Sequence, residues 1–139
     1  MRVVVDTNIV VSGLLSPAGP PGRVIDLLLS GHVVALYDDR ILLEYHDVLA
    51  RPKLRIDPAL AGAVLDWIER GGILVSAPPL DIELPDPDDL AFIEVAVAGA
   101  AAALVTGNGR HFAPARSSIS LPILSPADFI ALWHTEAQR

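Results

Sequence analysis

The chain has 139 residues, 52% of them hydrophobic, and no cysteine, so it can bury a domain core but holds neither a disulfide framework nor a thiolate zinc site. Its formal net charge of −7 argues against a broad basic face gripping nucleic acid, though not against a nuclease, because acids clustered to bind cations contribute to that count. Apolar stretches such as Ile93 to Val105 are broken by Glu94 and Gly99, and a strand begins where a signal peptide would stand, so a single soluble, cytoplasmic domain over residues 1–139 with no membrane span is expected.

Arg2 to Val5 is short and β-branched and reads as a fully buried strand of a parallel sheet. Asp6 follows at its carboxyl end, where open α/β sheets bind ligands. Asp6 suits a helix N-cap equally well, because Asn8 to Leu15 reads as a short helix. Pro17 to Gly22 is a turn-rich break, after which Arg23 to Leu29 resumes helical spacing and Gly31 stops it. His32 to Tyr37 is a second buried strand. Asp38 and Asp39 open a helix through Leu49, with Ile41, Leu42, Tyr45, Val48 and Leu49 on one stripe and Glu44 near its middle, and Pro52 ends it. The next helix spans Pro58 to Arg70, capped by Asp57 and closed by Gly71-Gly72. Ile73 to Val75 is a third short strand, and the proline-rich stretch Ala77 to Asp88 is a loop. Asp88 or Asp89 caps a helix through Ala98, and Ala101 to Val105 is a fourth strand with Thr106-Gly107-Asn108-Gly109 at its carboxyl end. Leu121 to Leu124 is a weak fifth strand, placed at an edge by Pro122, and Ser125 caps a last helix from Pro126 to His134. Strands alternating with helices predict an α/β protein, a parallel sheet covered on both faces by right-handed crossovers. The residues just after strands one and four then converge on one edge.

Oxygen donors recur at the borders of these elements: Asp6, Glu44, the run Asp86-Pro87-Asp88-Asp89, and Asn108. Hard cations such as magnesium and manganese prefer such donors, and several carboxylates brought together repel one another without a cation. Glu44 stands between Leu43 and Tyr45 on a largely apolar helix. A solvated helix face for Glu44, and caps for the aspartates, remain the alternative. Three of the ten lysines and arginines, including the sole lysine, gather in Arg51-Pro52-Lys53-Leu54-Arg55, which is either a phosphate contact or a solvated helix terminus.

Val3-Val4-Val5-Asp6-Thr7-Asn8-Ile9, then Leu42-Leu43-Glu44-Tyr45 with Val48 to Leu54, then Asp86-Pro87-Asp88-Asp89 leading to Phe92-Ile93-Glu94-Val95-Ala96, and last Leu104-Val105-Thr106-Gly107-Asn108, resemble the successive motifs of a PIN domain. The chain is most similar to the bacterial and archaeal branch of toxins of toxin–antitoxin pairs, the VapC-type ribonucleases. The likeness runs from Met1 to about Trp133 and takes in Arg110-His111-Phe112 and Leu124 to Phe129. It implies a three-layer α/β/α fold with a five-stranded parallel sheet in order 3-2-1-4-5, and metal-dependent cleavage of RNA phosphodiesters.

Carried over by position, the resemblance makes Asp6 the first acid, Glu44 the second and Asp89 the third, with Asp86 and Asp88 as supplementary candidates. Where many members carry a fourth acid this chain has Asn108, whose amide oxygen brings no charge, so one or two ions remain open. Magnesium or manganese held by Asp6, Glu44, Asp89 and Asp86 would acidify an attacking water and offset charge on the scissile phosphate. Thr7 and Thr106 would orient phosphate or water, or else close turns. Arg110, Arg51 and Lys53 are candidate RNA contacts, and His111 is read as a surface-loop residue. The resemblance further implies a homodimer and a small antitoxin that lays an amphipathic segment into an apolar groove, with Arg23 to Leu29 as a contact surface. The rivals are a catalytically inactive PIN-like scaffold, which Asn108 keeps open, and an aspartate-based phosphatase, which would want an aspartate where Asn8 stands. A response-regulator receiver would need a lysine beyond the last strand, and none follows Leu124.

Overall fold

Three consecutive valines start the sheet. In the computed structural model, which describes residues 1–139, five strands form: β1 (Arg2–Val5), β2 (Val34–Tyr37), β3 (Ile73–Leu74), β4 (Ala103–Val105) and β5 (Ile123–Leu124). They make one parallel sheet in the order β3-β2-β1-β4-β5, the order the motif resemblance implied. Val3, Val4 and Val5 are almost wholly buried, as the β-branched run predicts for a central strand covered on both faces. Val5 lies opposite Val105, so β1 and β4 end level and the residues that follow them are neighbours. The outer strands are two residues long, and both side chains of β3 are exposed, which fits an edge.

Six α-helices connect them: α1 (Thr7–Leu15), α2 (Pro20–Leu29), α3 (Asp39–Leu49), α4 (Pro58–Gly71), α5 (Leu90–Ala98) and α6 (Pro126–Ala137). Right-handed crossovers put α1 to α4 and α5 on opposite faces of this strand order. α5 packs across β1, β2 and β4, and its apolar-all-round sequence is buried from Ala91 to Ala96. α2 packs against α1, α4 and α6. The caps read from the sequence form as hydrogen bonds: Asp38 accepts from the Ile41 N–H, Asp57 from Ala59 and Ser125 from Asp128. One continuous apolar core results, and no helix is long and apolar enough to cross a membrane.

Two expectations are corrected. α2 begins at Pro20 rather than Arg23, because Pro20 and Pro21 occupy its first turn, where a missing N–H is harmless and a fixed φ is helical. Gly22 allows that turn to close, since a Cβ there would lie 2.0 Å from the Pro17 carbonyl oxygen. Beyond β4, where His111 reads as a surface-loop residue, the chain winds through a 3₁₀ segment, Gly109–Ala115, that buries Phe112. The Gly31 stop holds, with φ at 80°, a value that glycine reaches without strain.

Candidate active site

The level ends of β1 and β4 bring Asp6 and Thr106 together. The Asp6 N–H bonds to the Val105 carbonyl at 2.9 Å, and the Thr106 hydroxyl donates to Asp6 Oδ2 at 2.7 Å. Thr106 Oγ1 meanwhile accepts the Asn108 N–H at 3.0 Å, which leaves its one proton for Asp6. Asp6 stands at the N-cap of α1 but makes no side-chain capping bond, so of its two sequence roles the cap is not the one its carboxylate fills. It is 8% exposed. Thr106 thus closes the turn after β4, one of its two expected roles, and in addition holds the Asp6 carboxylate.

Glu44 is positioned by α3. The Tyr45 hydroxyl donates to the Val5 carbonyl oxygen and pins the helix across the end of β1, and burial pushes that phenol's pKa far up. The preceding residue then reaches the same edge, where the Thr7 hydroxyl donates to Glu44 Oε2. Asp89 arrives from the other face, at the junction of the 3₁₀ turn Pro87–Asp89 with α5, and also makes no side-chain capping bond.

These carboxylates sense one another. Burial raises the Asp6 pKa against the lowering effect of the Thr106 hydroxyl and the Thr7 backbone bond, and Glu44 raises it further. Burial likewise pushes Asp89 up to about 6, reinforced by the charges of Asp6, Asp86 and Glu44. His111 works in the opposite direction on both acids, with Nδ1 3.9 Å from Asp89 Oδ2. The loop role read for His111 is thus incomplete: it is exposed, yet it faces the acids because the 3₁₀ winding after Asn108 turns it back.

The remaining candidates are more peripheral. Asp86 caps the 3₁₀ turn by accepting the Asp88 N–H at 3.0 Å, and Asp88 is exposed. Asn108 is exposed, and while its backbone N–H bonds to Thr106, its side-chain amide makes no hydrogen bond within the chain. Arg110, Arg51 and Lys53 are exposed and form no ion pair. Arg51 lines an open groove of about 590 Å³ that runs beside Glu44 between α3 and α5, together with Arg40, Asp47 and Asp88.

Three residues matter here that the sequence did not single out. Asn8 Oδ1 accepts the Gly107 N–H at 3.2 Å and ties α1 to the loop after β4. Glu94, 4% exposed, receives Arg40 Nη1 on one oxygen and the Leu80 N–H on the other, each at 2.7 Å. This pair joins α3 to α5, the two helices that bring Glu44 and Asp89. The one available signal was a lone charge in a helix apolar on every side, which demands a buried partner without naming it.

Oxygen donors only, partly or wholly buried and mutually repelling, match the preferences of a hard divalent cation in chemistry and in charge. No three of the chain's acidic and histidine side chains stand close enough to ligate a single ion directly. Thr7 and Thr106 occupy one oxygen each of Glu44 and Asp6. The fit is therefore one of donor set and charge.

A family model described as a PIN domain matches residues 2–110. An uncharacterized protein of Methanocaldococcus jannaschii is 38% identical over 55 residues, a stretch covering 40% of this chain and 36% of that protein. The match thus spans little more than a third of the relative's length.

Proposed function

Because the chain belongs to the PIN domain family, whose members are generally nucleases that use divalent metal ions, we propose that it is a metal-dependent ribonuclease with Asp6, Glu44 and Asp89 as the acids that hold magnesium or manganese. The observation that carries this reading is that burial and neighbouring carboxylates raise the pKa of Asp6 and Asp89 beside the ends of β1 and β4, with only the exposed His111 acting against them. A divalent cation supplies two effects there: it acidifies the attacking water and neutralises charge that builds on the phosphate. Water adds to phosphorus, the phosphodiester P–O bond breaks, and the departing oxygen takes up a proton.

The chain's own residues hold the acids and the strand. The Thr106 and Thr7 hydroxyls fix the rotamers of Asp6 and Glu44, so each carboxylate keeps a free oxygen for the ion. Asp86 adds negative charge beside Asp89, which favours a cation further. Asn108 offers an uncharged oxygen at the rim. His111 is placed to stabilise the acids while no ion is bound. The groove beside Glu44 is open enough to admit one unpaired strand, with Arg51 as a cationic contact and Arg110 and Lys53 as outlying ones.

The finer role is that of the toxin in a toxin–antitoxin pair, a single-domain cytoplasmic homodimer held in check by a small antitoxin at the α1–α2 surface. The support is the order and spacing of the motifs around Asp6, Glu44, Asp89 and Asn108. The exposed Asn108 favours a second reading, a catalytically inactive scaffold that binds a partner. The test is cleavage of a mixed RNA pool by the purified protein in manganese or magnesium against EDTA, with Asp6→Asn alongside. Cutting by the wild type alone, and only with metal, is expected; absence of cutting under either metal leaves the scaffold.

A further inference from the structure

Arg51 lines two cavities. Beyond the groove beside Glu44, a second cavity of about 350 Å³ lies between the end of α3 and the start of α4. Its wall carries Arg51, Arg55 and His46 and no carboxylate, and its floor is formed by Leu49, Ala61 and Leu65. In a chain of net charge −7, a cavity with two arginines and no acid is set apart from its surroundings. Neither guanidinium is engaged in an ion pair. The acid nearest in sequence, Asp57, has one carboxylate oxygen committed to capping α4.

The backbone is bent to make this wall. Arg55 sits at φ 54°, ψ 34°, the left-handed region that side chains with a Cβ enter only at a cost, and it ends the 3₁₀ turn Pro52–Leu54. That turn carries Arg55 round to line the same cavity as Arg51. Glu44 and Val48 on α3 and Arg51, two residues beyond its end, line one groove. A strand lying at Glu44 therefore reaches Arg51 within that groove.

We propose that the second cavity is a binding subsite for an unpaired nucleotide of the RNA strand, flanking the phosphodiester held at the acids. This rests on the nuclease reading for what lies at Glu44, but the subsite itself needs no cleavage to be seen. The Arg51 and Arg55 guanidiniums take a phosphate, for which their planar fork is suited. The base lies on Leu49, Ala61 and Leu65, its faces covered by apolar atoms and guanidinium planes. A base in a duplex cannot be turned into this cavity, so the subsite selects single strands.

The experiment is fluorescence anisotropy of a short, unstructured, labelled RNA in EDTA, where nothing is cut. Arg51→Ala and Arg55→Ala are each expected to weaken binding about tenfold, and the double variant to flatten the slope of log affinity against log salt by about 0.7, one phosphate contact on a single strand. Arg70→Ala, on the far stretch of α4, is expected to bind as the wild type does. Circular dichroism checks folding, and Arg51→Gln and Arg55→Gln replace any alanine variant that melts early. Wild-type affinity and salt slope in the double variant overturn the subsite, as does a wild type that binds polyglutamate but not RNA. Arginine-dependent RNA binding without cleavage in manganese keeps the subsite and removes the nuclease reading. Cleavage with arginine-independent binding does the reverse.

Discussion

Asp6 and Glu94 are buried to nearly the same degree, at 8% and 4% exposure, yet their surroundings differ in kind. Glu94 has a cation on one oxygen and a backbone N–H on the other, and the cation is itself braced: Arg40 also binds Asp38, which caps α3. Asp6 has a neutral hydroxyl and a backbone bond, the charge of Glu44 raises its pKa, and only the exposed His111, which forms no ion pair with it, acts the other way. A carboxylate buried for structure brings its counter-ion within the chain, because an unpaired buried charge is costly. A carboxylate buried without one leaves that place for an ion from solution. The same fold thus holds one buried acid paired to a cation within the chain and one that forms no ion pair.

The largest effect that tests this contrast is Asp6→Asn. Catalytic rate is expected to fall about 1,000-fold, roughly 4 kcal/mol of transition-state stabilisation, in a metal-supported cleavage assay. The melting temperature should stay level or rise, because the substitution removes a buried charge that repels its neighbours. A variant that unfolds instead would place Asp6 with Glu94 among the structural acids.

Arg40→Ala is the mirror image. It strands the Glu94 charge in the interior and should lower unfolding free energy by about 3 kcal/mol in urea denaturation, the low end for a broken buried pair because Arg40 is half in solvent. Arg40→Met combined with Glu94→Met should recover much of that loss. Loss of activity in Arg40→Ala with undiminished stability would show that the pair serves the site rather than the fold.

Solution pH sharpens the comparison next. Asp89 titrates near 6 in the folded chain, above its ordinary value, so the stability linked to its protonated form is complete below about pH 4 and is lost as pH rises through about 6. Asp6 is shifted in the same direction. In EDTA the melting temperature should therefore fall between about pH 5 and about pH 7, and manganese should restore more of it at about pH 7.5 than at about pH 5. Differential scanning fluorimetry reads both. Asp89→Asn should flatten the EDTA profile, and a profile already flat in the wild type would contradict the repulsion.

The smallest effect concerns orientation. Thr106→Val removes the hydroxyl that holds Asp6 and should reduce cleavage about tenfold, near 1.4 kcal/mol, while Thr106→Ser keeps most of it. Equal losses for valine and serine would mean that the methyl group, not the hydrogen bond, is what Thr106 contributes.

How much of this was legible in the sequence follows from the range of the interactions. The strands and helices were readable because their signals are local: the valines of β1, the caps Asp38, Asp57 and Ser125, and the breaks at Gly31 and Pro52. Asp6 and Glu44 stood out by position, one at the end of a strand and one inside a largely apolar helix, whereas Asp89 was picked from the run Asp86-Pro87-Asp88-Asp89 by the resemblance alone. The Arg40–Glu94 pair was hidden because its members are 54 residues apart and neither sits in a pattern that names the other. The start of α2 was misjudged because Pro20-Pro21-Gly22 reads as a breaker until it is placed in a first turn. His111 and Arg55 depend on 3₁₀ turns whose direction no periodicity encodes.

The acid region around Asp6 should take up a divalent cation from solution. Isothermal titration of manganese into the metal-free protein, with Asp6→Asn and Asp89→Asn run at the same pH, tests it most directly. Saturable binding by the wild type is expected, with its loss or marked weakening in both variants and their folds intact. Equal manganese binding by the wild type and Asp6→Asn would contradict it.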